Sequence, residues 1–190
     1  MNKIIWPLLL CAVLCGCGGG ETGNAVQEQY RTLETARLEA EVTSHTSTDS
    51  RTFTLLCSYD ADGDAVTTVT APGELAGLTA VVSGTDMTLS SEGLQLPAGA
   101  SLDICPANCL PYLLRALADG YVLEQSSEAL DDTPCLRLAL DTTAPGGGKV
   151  LCVVWLDAEG LFPRYAEFSR NEQVVLTVKL LAFTCTTSEG

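Results

Sequence analysis

The residues best equipped for chemistry in this 190-residue chain are its nine cysteines and its one histidine. Cys11, Cys15 and Cys17 fall near the amino end; Cys57, Cys105, Cys109, Cys135, Cys152 and Cys185 are spread along the body. Cys105-Pro106-Ala107-Asn108-Cys109 is the one local pair in that body. A thiol at a helix start loses its proton readily, and such a pair could exchange electrons or hold a metal. Against that, the spacing is not C-x-x-C, no second pair completes a four-ligand set, and His45 is the sole imidazole. The expectation is a disulfide between Cys105 and Cys109, or two plain thiols, and no metal. The other four body cysteines sit in strand-like runs and read as small buried residues.

Two further clusters invite a ligand. Asp60-Ala61-Asp62-Gly63-Asp64 has the look of a calcium loop. Gly63 comes too early for an EF-hand, however, and the twelfth position is Ala71 rather than a bidentate Glu. Asp-Gly between two alternating runs reads instead as a hairpin turn, with Gly63 at positive φ. The Gly-rich turn before Lys149 lacks the Ser/Thr and the helix of a phosphate loop. Carboxylates abound, but with 24 Asp and Glu against 10 Lys and Arg their proximity says little. His45 belongs on the wet face of an alternating strand with Glu39, Glu41 and Thr43. No nucleophile–base pair stands out, so neither enzyme activity nor a cofactor is expected.

The amino end carries a different thiol chemistry. Lys3 is followed by an unbroken apolar run over residues 4–14, the form of an export signal. A spanning helix needs about 20 apolar residues, so this run is too short for a lasting anchor. Its end, Leu14-Cys15-Gly16-Cys17, resembles the lipobox of bacterial lipoproteins. In that family the last thiol takes a diacylglyceryl group and the signal is cleaved before it. The resemblance implies a signal peptide at 1–16, lipidation at Cys17, and an extracytoplasmic protein anchored to the bacterial cell membrane. The plainer alternative is a secretory signal with incidental cysteines, which is how Cys11 and Cys15 are read. Residues 17–24, rich in Gly, read as the lipidated Cys and a flexible tether. One acyl chain binds marginally and two or three bind stably, at about 0.8 kcal/mol per buried CH2.

The elements that must carry these residues follow from composition and periodicity. A formal charge of −14 disfavours nucleic acid, which needs clustered Lys and Arg. With 46% apolar and 18% charged residues the body is a folded domain rather than an acidic tail. One domain over 25–190, a monomer, fits the length. Val26, Tyr30 and Leu33 predict a helix over 24–36, with Asn24 as N-cap. After it the period becomes two, at Leu38, Ala40 and Val42 and again at Phe53, Leu55, Cys57 and Tyr59. Short strands follow over 65–70, 77–83, 86–91 and 93–96. Asn108 then caps a helix to about residue 119, stopped by Gly120, with Leu110, Leu113, Leu114 and Leu117 as a core-facing stripe. Strands over 121–125, 135–142, 149–157, 163–169 and 174–183 complete an antiparallel, β-rich α+β domain of nine or ten strands.

In order, these pieces are similar to the LolA-like superfamily of lipoprotein carriers and related bacterial lipoproteins. The resemblance covers about residues 25–185. It is carried by E-L-A-G-L-T-A-V-V-S-G at 74–84 with its hairpin, and by the helix over 110–118. V-V-W-L-D-A-E-G-L-F-P-R-Y-A-E-F at 153–168, which includes Glu167, and the closing strand V-L-T-V-K-L-L-A-F complete it. It implies a curved, unclosed antiparallel sheet, a half-barrel with about two helices on its concave side. In several members that apolar side holds acyl chains. The resemblance therefore makes Val81, Leu89, Leu138, Val154 and Leu176 candidates for an inward, ligand-binding face, with a lipid, an acylated protein or another apolar ligand as occupant. The alternative is an envelope interaction or regulatory lipoprotein with no small ligand. The chain differs from the soluble carrier in having the lipid anchor, and no protruding apolar loop of the membrane-inserting type stands out.

Overall fold

Two antiparallel meanders join into one sheet, the first strand of one pairing with the last strand of the other. A computed structural model describes residues 19–100, 103–144 and 146–188, so the expected signal at 1–16 and the expected lipidation site Cys17 lie outside the described residues. Helix α1 (Gly19–Arg31) leads into β1 (Leu33–His45), β2 (Ser50–Asp60), β3 (Ala65–Ala71), β4 (Thr79–Ser83), β5 (Asp86–Ser91) and β6 (Leu94–Ala100). Helix α2 (Cys109–Asp119) then carries the chain to β7 (Tyr121–Leu130), β8 (Thr133–Thr143), β9 (Lys149–Asp157), β10 (Pro163–Arg170) and β11 (Gln173–Thr187). The 11-stranded sheet has the order β6-β5-β4-β3-β2-β1-β11-β10-β9-β8-β7, with β6 and β7 as open edges. This is an α+β fold: a curved, unclosed antiparallel sheet with both helices on its concave side.

Period two decides which side chains meet the helices. Register lines up Leu138, Val154, Ala166, Val178 and Val42 across β8, β9, β10, β11 and β1, and all five are fully buried. Onto them α2 sets the expected stripe, Leu110, Leu113, Leu114 and Leu117, while α1 adds Val26 and Tyr30. Each such burial is worth about 1.5–3 kcal/mol. Tyr112 of α2 packs edge-on against Phe168 at 5.8 Å between ring centres, and its hydroxyl bonds Thr142 Oγ1 at 2.6 Å. The helical stripe is core packing.

Several local expectations need correction. Leu33 to Ala36 is strand, not helix: a bulge between Leu33 and Thr35 puts the two buried residues three apart and so imitates a helical stripe. At its other end α1 starts at Gly19, inside the segment read as a tether, and Asn24 lies within it. Gly23 is there for close approach. A Cβ on it would meet Gln125 Oε1 at 3.0 Å and Val122 Cγ2 at 3.7 Å, so the bare backbone lets α1 sit on β7. Gly63 does turn the β2–β3 hairpin but is not among the glycines at positive φ. Its need is space, because a Cβ would stand 3.1 Å from Asp60 Cγ. The turn is held by the Asp62 N–H donating to Asp60 Oδ1 at 3.0 Å. His45 takes the wet face as expected, contacting Ser50 Oγ and Thr177 Oγ1.

Candidate functional site

The two halves of the concave face differ in their cover. Over β1 and β7–β11 the helices fill the space with side chains; over β2–β5 the cover is the segment 103–108 that leads into α2. Beneath that segment lies a cavity of about 180 Å3, walled by Leu55, Thr67, Ala80 and Leu89 from the sheet. Leu75 and Leu78 of the β3–β4 connection close one side, and Cys105, Pro106 and Ala107 form the roof. An apolar cavity of about 150 Å3 stays dry and takes up benzene, so this one suits the end of an alkyl chain or a single ring. From Leu89 the same face runs on to Leu96, its register partner, and to Leu94, which are 58% and 65% exposed on the edge strand. A partly covered apolar pocket thus continues into an open apolar strip.

The roof is shaped by Asn108. Placed at the N-cap of α2, it makes no capping hydrogen bond with its side chain. Its Oδ1 instead accepts the Cys105 N–H at 2.8 Å, and its Nδ2 donates to the Asp103 carbonyl at 2.8 Å. The side chain is buried, so both bonds are made away from water and hold 103–108 in a tight loop. An ion pair from Arg170 of β10 to the Asp103 carboxylate ties the loop's start across the sheet. On the floor, Thr67 is 2% exposed and its Oγ1 has no hydrogen-bond partner among the described residues. The Cys57 thiol lies opposite it in register. That oxygen is a polar atom on a wall otherwise apolar.

Thiols gather here without the chemistry first considered for them. All six cysteines among the described residues are free. The Cys105–Cys109 bridge is absent because Cys109 faces the core, where its Sγ donates to the Pro106 carbonyl at 3.5 Å. Burial pushes the Cys57 thiol up to about 11, against the pull of the Thr67 hydroxyl, and raises Cys105 and Cys109 as well. Such thiols are protonated and poor nucleophiles. No group of His, Cys, Asp or Glu among the described residues could hold a metal ion.

The residues singled out from sequence separate cleanly. Leu89 lines the cavity. Leu138, Val154 and Leu176 do face inward, but into the packed centre under the helices, where no space adjoins them. Val81 points away: Ala80 and Val82 on either side are the buried residues of β4, and alternation puts Val81 on the opposite face. Thr67, Ala80 and the 105–107 roof were missed. Their one sequence signal was Thr67 itself, a β-branched polar residue in phase with Ala65 and Val69. A larger hollow of about 580 Å3 lies across β10 and β11, but Asp131, Asp157, Arg164 and Lys179 line it and keep it wet.

Comparison with solved structures agrees with this architecture. A DUF1329 family protein from Desulfovibrio piger is similar with a TM-score of 0.54 at 12% identity, over 90% of this chain and 94% of that one. An uncharacterised conserved protein from Thermus thermophilus gives 0.52 at 9% identity, over 89% and 88%. A LolA superfamily protein from Nitrosomonas europaea gives 0.47 at 13%, over 88% and 94%. The curved, unclosed antiparallel sheet with its few helices is the architecture shared with the first two. At these identities the likeness concerns architecture alone. No protein-family model matches the chain, and no curated protein matches it in sequence.

Proposed function

We propose that this protein is a lipid-anchored, extracytoplasmic binding module that holds the apolar end of a ligand under the 103–108 loop. The observation that carries the reading is the apolar cavity under the loop and its continuation along Leu89, Leu96 and Leu94. About six methylenes match the space under the loop, worth about 5 kcal/mol at about 0.8 kcal/mol each. The remainder of a longer chain lies along the open strip, and the Thr67 hydroxyl favours a ligand with one polar atom near its buried end. Lipids, acylated proteins and other single-chain amphiphiles meet this description. Anchoring is the part read from Leu14-Cys15-Gly16-Cys17, with cleavage before Cys17 and acylation of its thiol. No helix among the described residues is long and apolar enough to cross a membrane.

Native mass spectrometry of the protein released gently from its membranes tests the ligand: one added lipid mass is expected, absent after Ala80→Leu. No added mass in either form would turn the reading toward a protein partner on the same open strip. Anchoring is tested separately. Cys17→Ala should abolish incorporation of labelled palmitate and release the protein from the membrane fraction; retention of both would remove the lipobox reading.

A further inference from the structure

We propose that the β7 edge of the sheet, at Tyr121 and Leu123, rests on the surface of the lipid bilayer. This stands on the reading of Cys17 as lipidated and adds what a lipid alone does not supply, a fixed orientation. One residue, Gly18, separates Cys17 from the first residue of α1. Two Cα steps of about 3.8 Å keep Gly19 within about 8 Å of Cys17. Four more residues, at about 1.5 Å of rise each, reach Gly23 some 6 Å further along the axis. Gly23 is the point where α1 is seated against Val122 and Gln125 of β7. A link so short holds the surroundings of the first turns of α1 near headgroup level.

The edge strand beneath them carries two exposed apolar side chains, which alternation directs to the face away from α1. Tyr121 is 73% exposed and Leu123 55%. They flank Val122 in the chain, and Leu123 falls at the bulge where β7 slips register against β8, so the ladder does not pair it. Tyrosine, with an apolar ring and a polar tip, suits the membrane–water interface, and a leucine beside it adds buried area. The carboxylates nearby are paired with cations, three against four. Arg31 meets Asp119, Arg137 meets Glu124 and Glu128, and Lys149 meets Asp141. This edge therefore repels an anionic leaflet less than a net charge of −14 implies.

Tyr121→Trp and Leu123→Trp, each in the full acylated chain, are reconstituted into phosphatylethanolamine–phosphatidylglycerol vesicles with and without a dibrominated phosphatidylcholine. Trp155 on β9 is the built-in reference, present in the unsubstituted protein. Both positions are solvent-facing, so neither change disturbs the core, and circular dichroism verifies this. The expected result is a blue-shifted added indole that loses about half its emission to brominated lipid, as an interfacial aromatic does, while the unsubstituted protein changes little. Acylated chains in which both added indoles respond no more than Trp155 would overturn the proposal and leave the anchor standing. Chains that carry no acyl group at Cys17 would overturn both together.

Discussion

Enlarging Ala80 reads the state of the cavity through a sign. Ala80 is buried on the cavity wall, and Leu in its place adds three carbons that have space to enter. At about 0.8 kcal/mol per buried CH2 the gain is about 2 kcal/mol. For a domain of this size each kcal/mol moves the midpoint by about 2–4 °C, so the melting temperature rises by about 4–8 °C. The same enlargement at Ala166, buried between Val154 and Val178 in the packed centre, has no space and costs about 1–3 kcal/mol. Thermal melts followed by circular dichroism read both. A fluorescent fatty acid reads the other consequence: Ala80→Leu removes space for about three methylenes, or about fiftyfold in Kd. Equal destabilisation by the two substitutions, with dye binding unchanged, would refute the existence of usable space beneath the loop.

Other consequences follow from the same geometry. Asn108→Ala deprives the Cys105 N–H and the Asp103 carbonyl of a buried partner, costing about 2–4 kcal/mol; urea melts should show this together with weakened dye binding. Thr67→Val replaces an unpaired buried hydroxyl by a methyl of the same shape and should stabilise the protein by about 1 kcal/mol, while lowering affinity for ligands with a polar atom at the buried end. Burial raises the Cys57 thiol from its ordinary value near 9.0 to about 11, so the folded state holds that proton more tightly than the unfolded one. Its contribution is therefore full below about pH 9 and is lost as pH climbs through about 11, a fall of about 2–3 kcal/mol. Cys57→Ala should shallow that decline in urea midpoints taken across the range, and an unchanged slope would count against the buried thiol.

Alternation made most of the sheet legible, and the exceptions have identifiable causes. β5 and β9 appear with the boundaries predicted for them, β9 from a run apolar on both faces, and α2 buries the very stripe its Leu spacing announced. β6, β7 and β11 extend beyond the predicted runs because edge and end residues pair through the backbone and need no apolar signal. The start of β1 was hidden by its bulge, which shifts period two toward three. The candidate site was less readable. Leu89, Leu138, Val154 and Leu176 share the inward face, and which of them borders open space depends on where α1 and α2 cross the sheet. That crossing is set by the Gly23 approach to β7 and by the loop that Asn108 folds, contacts between residues far apart in the chain. Val81 went to the wrong face because three consecutive apolar residues, Ala80, Val81 and Val82, give period two no contrast to read.

A high-resolution structure of the protein taken from its own membranes and crystallised without added lipid would test ligand binding most directly. Continuous density should enter under Pro106 and Ala107, end beside Thr67 and run out past Leu89 toward Leu96. Leu75 and Leu78 collapsed onto Leu55 and Ala80, with no space left between sheet and loop, would contradict it.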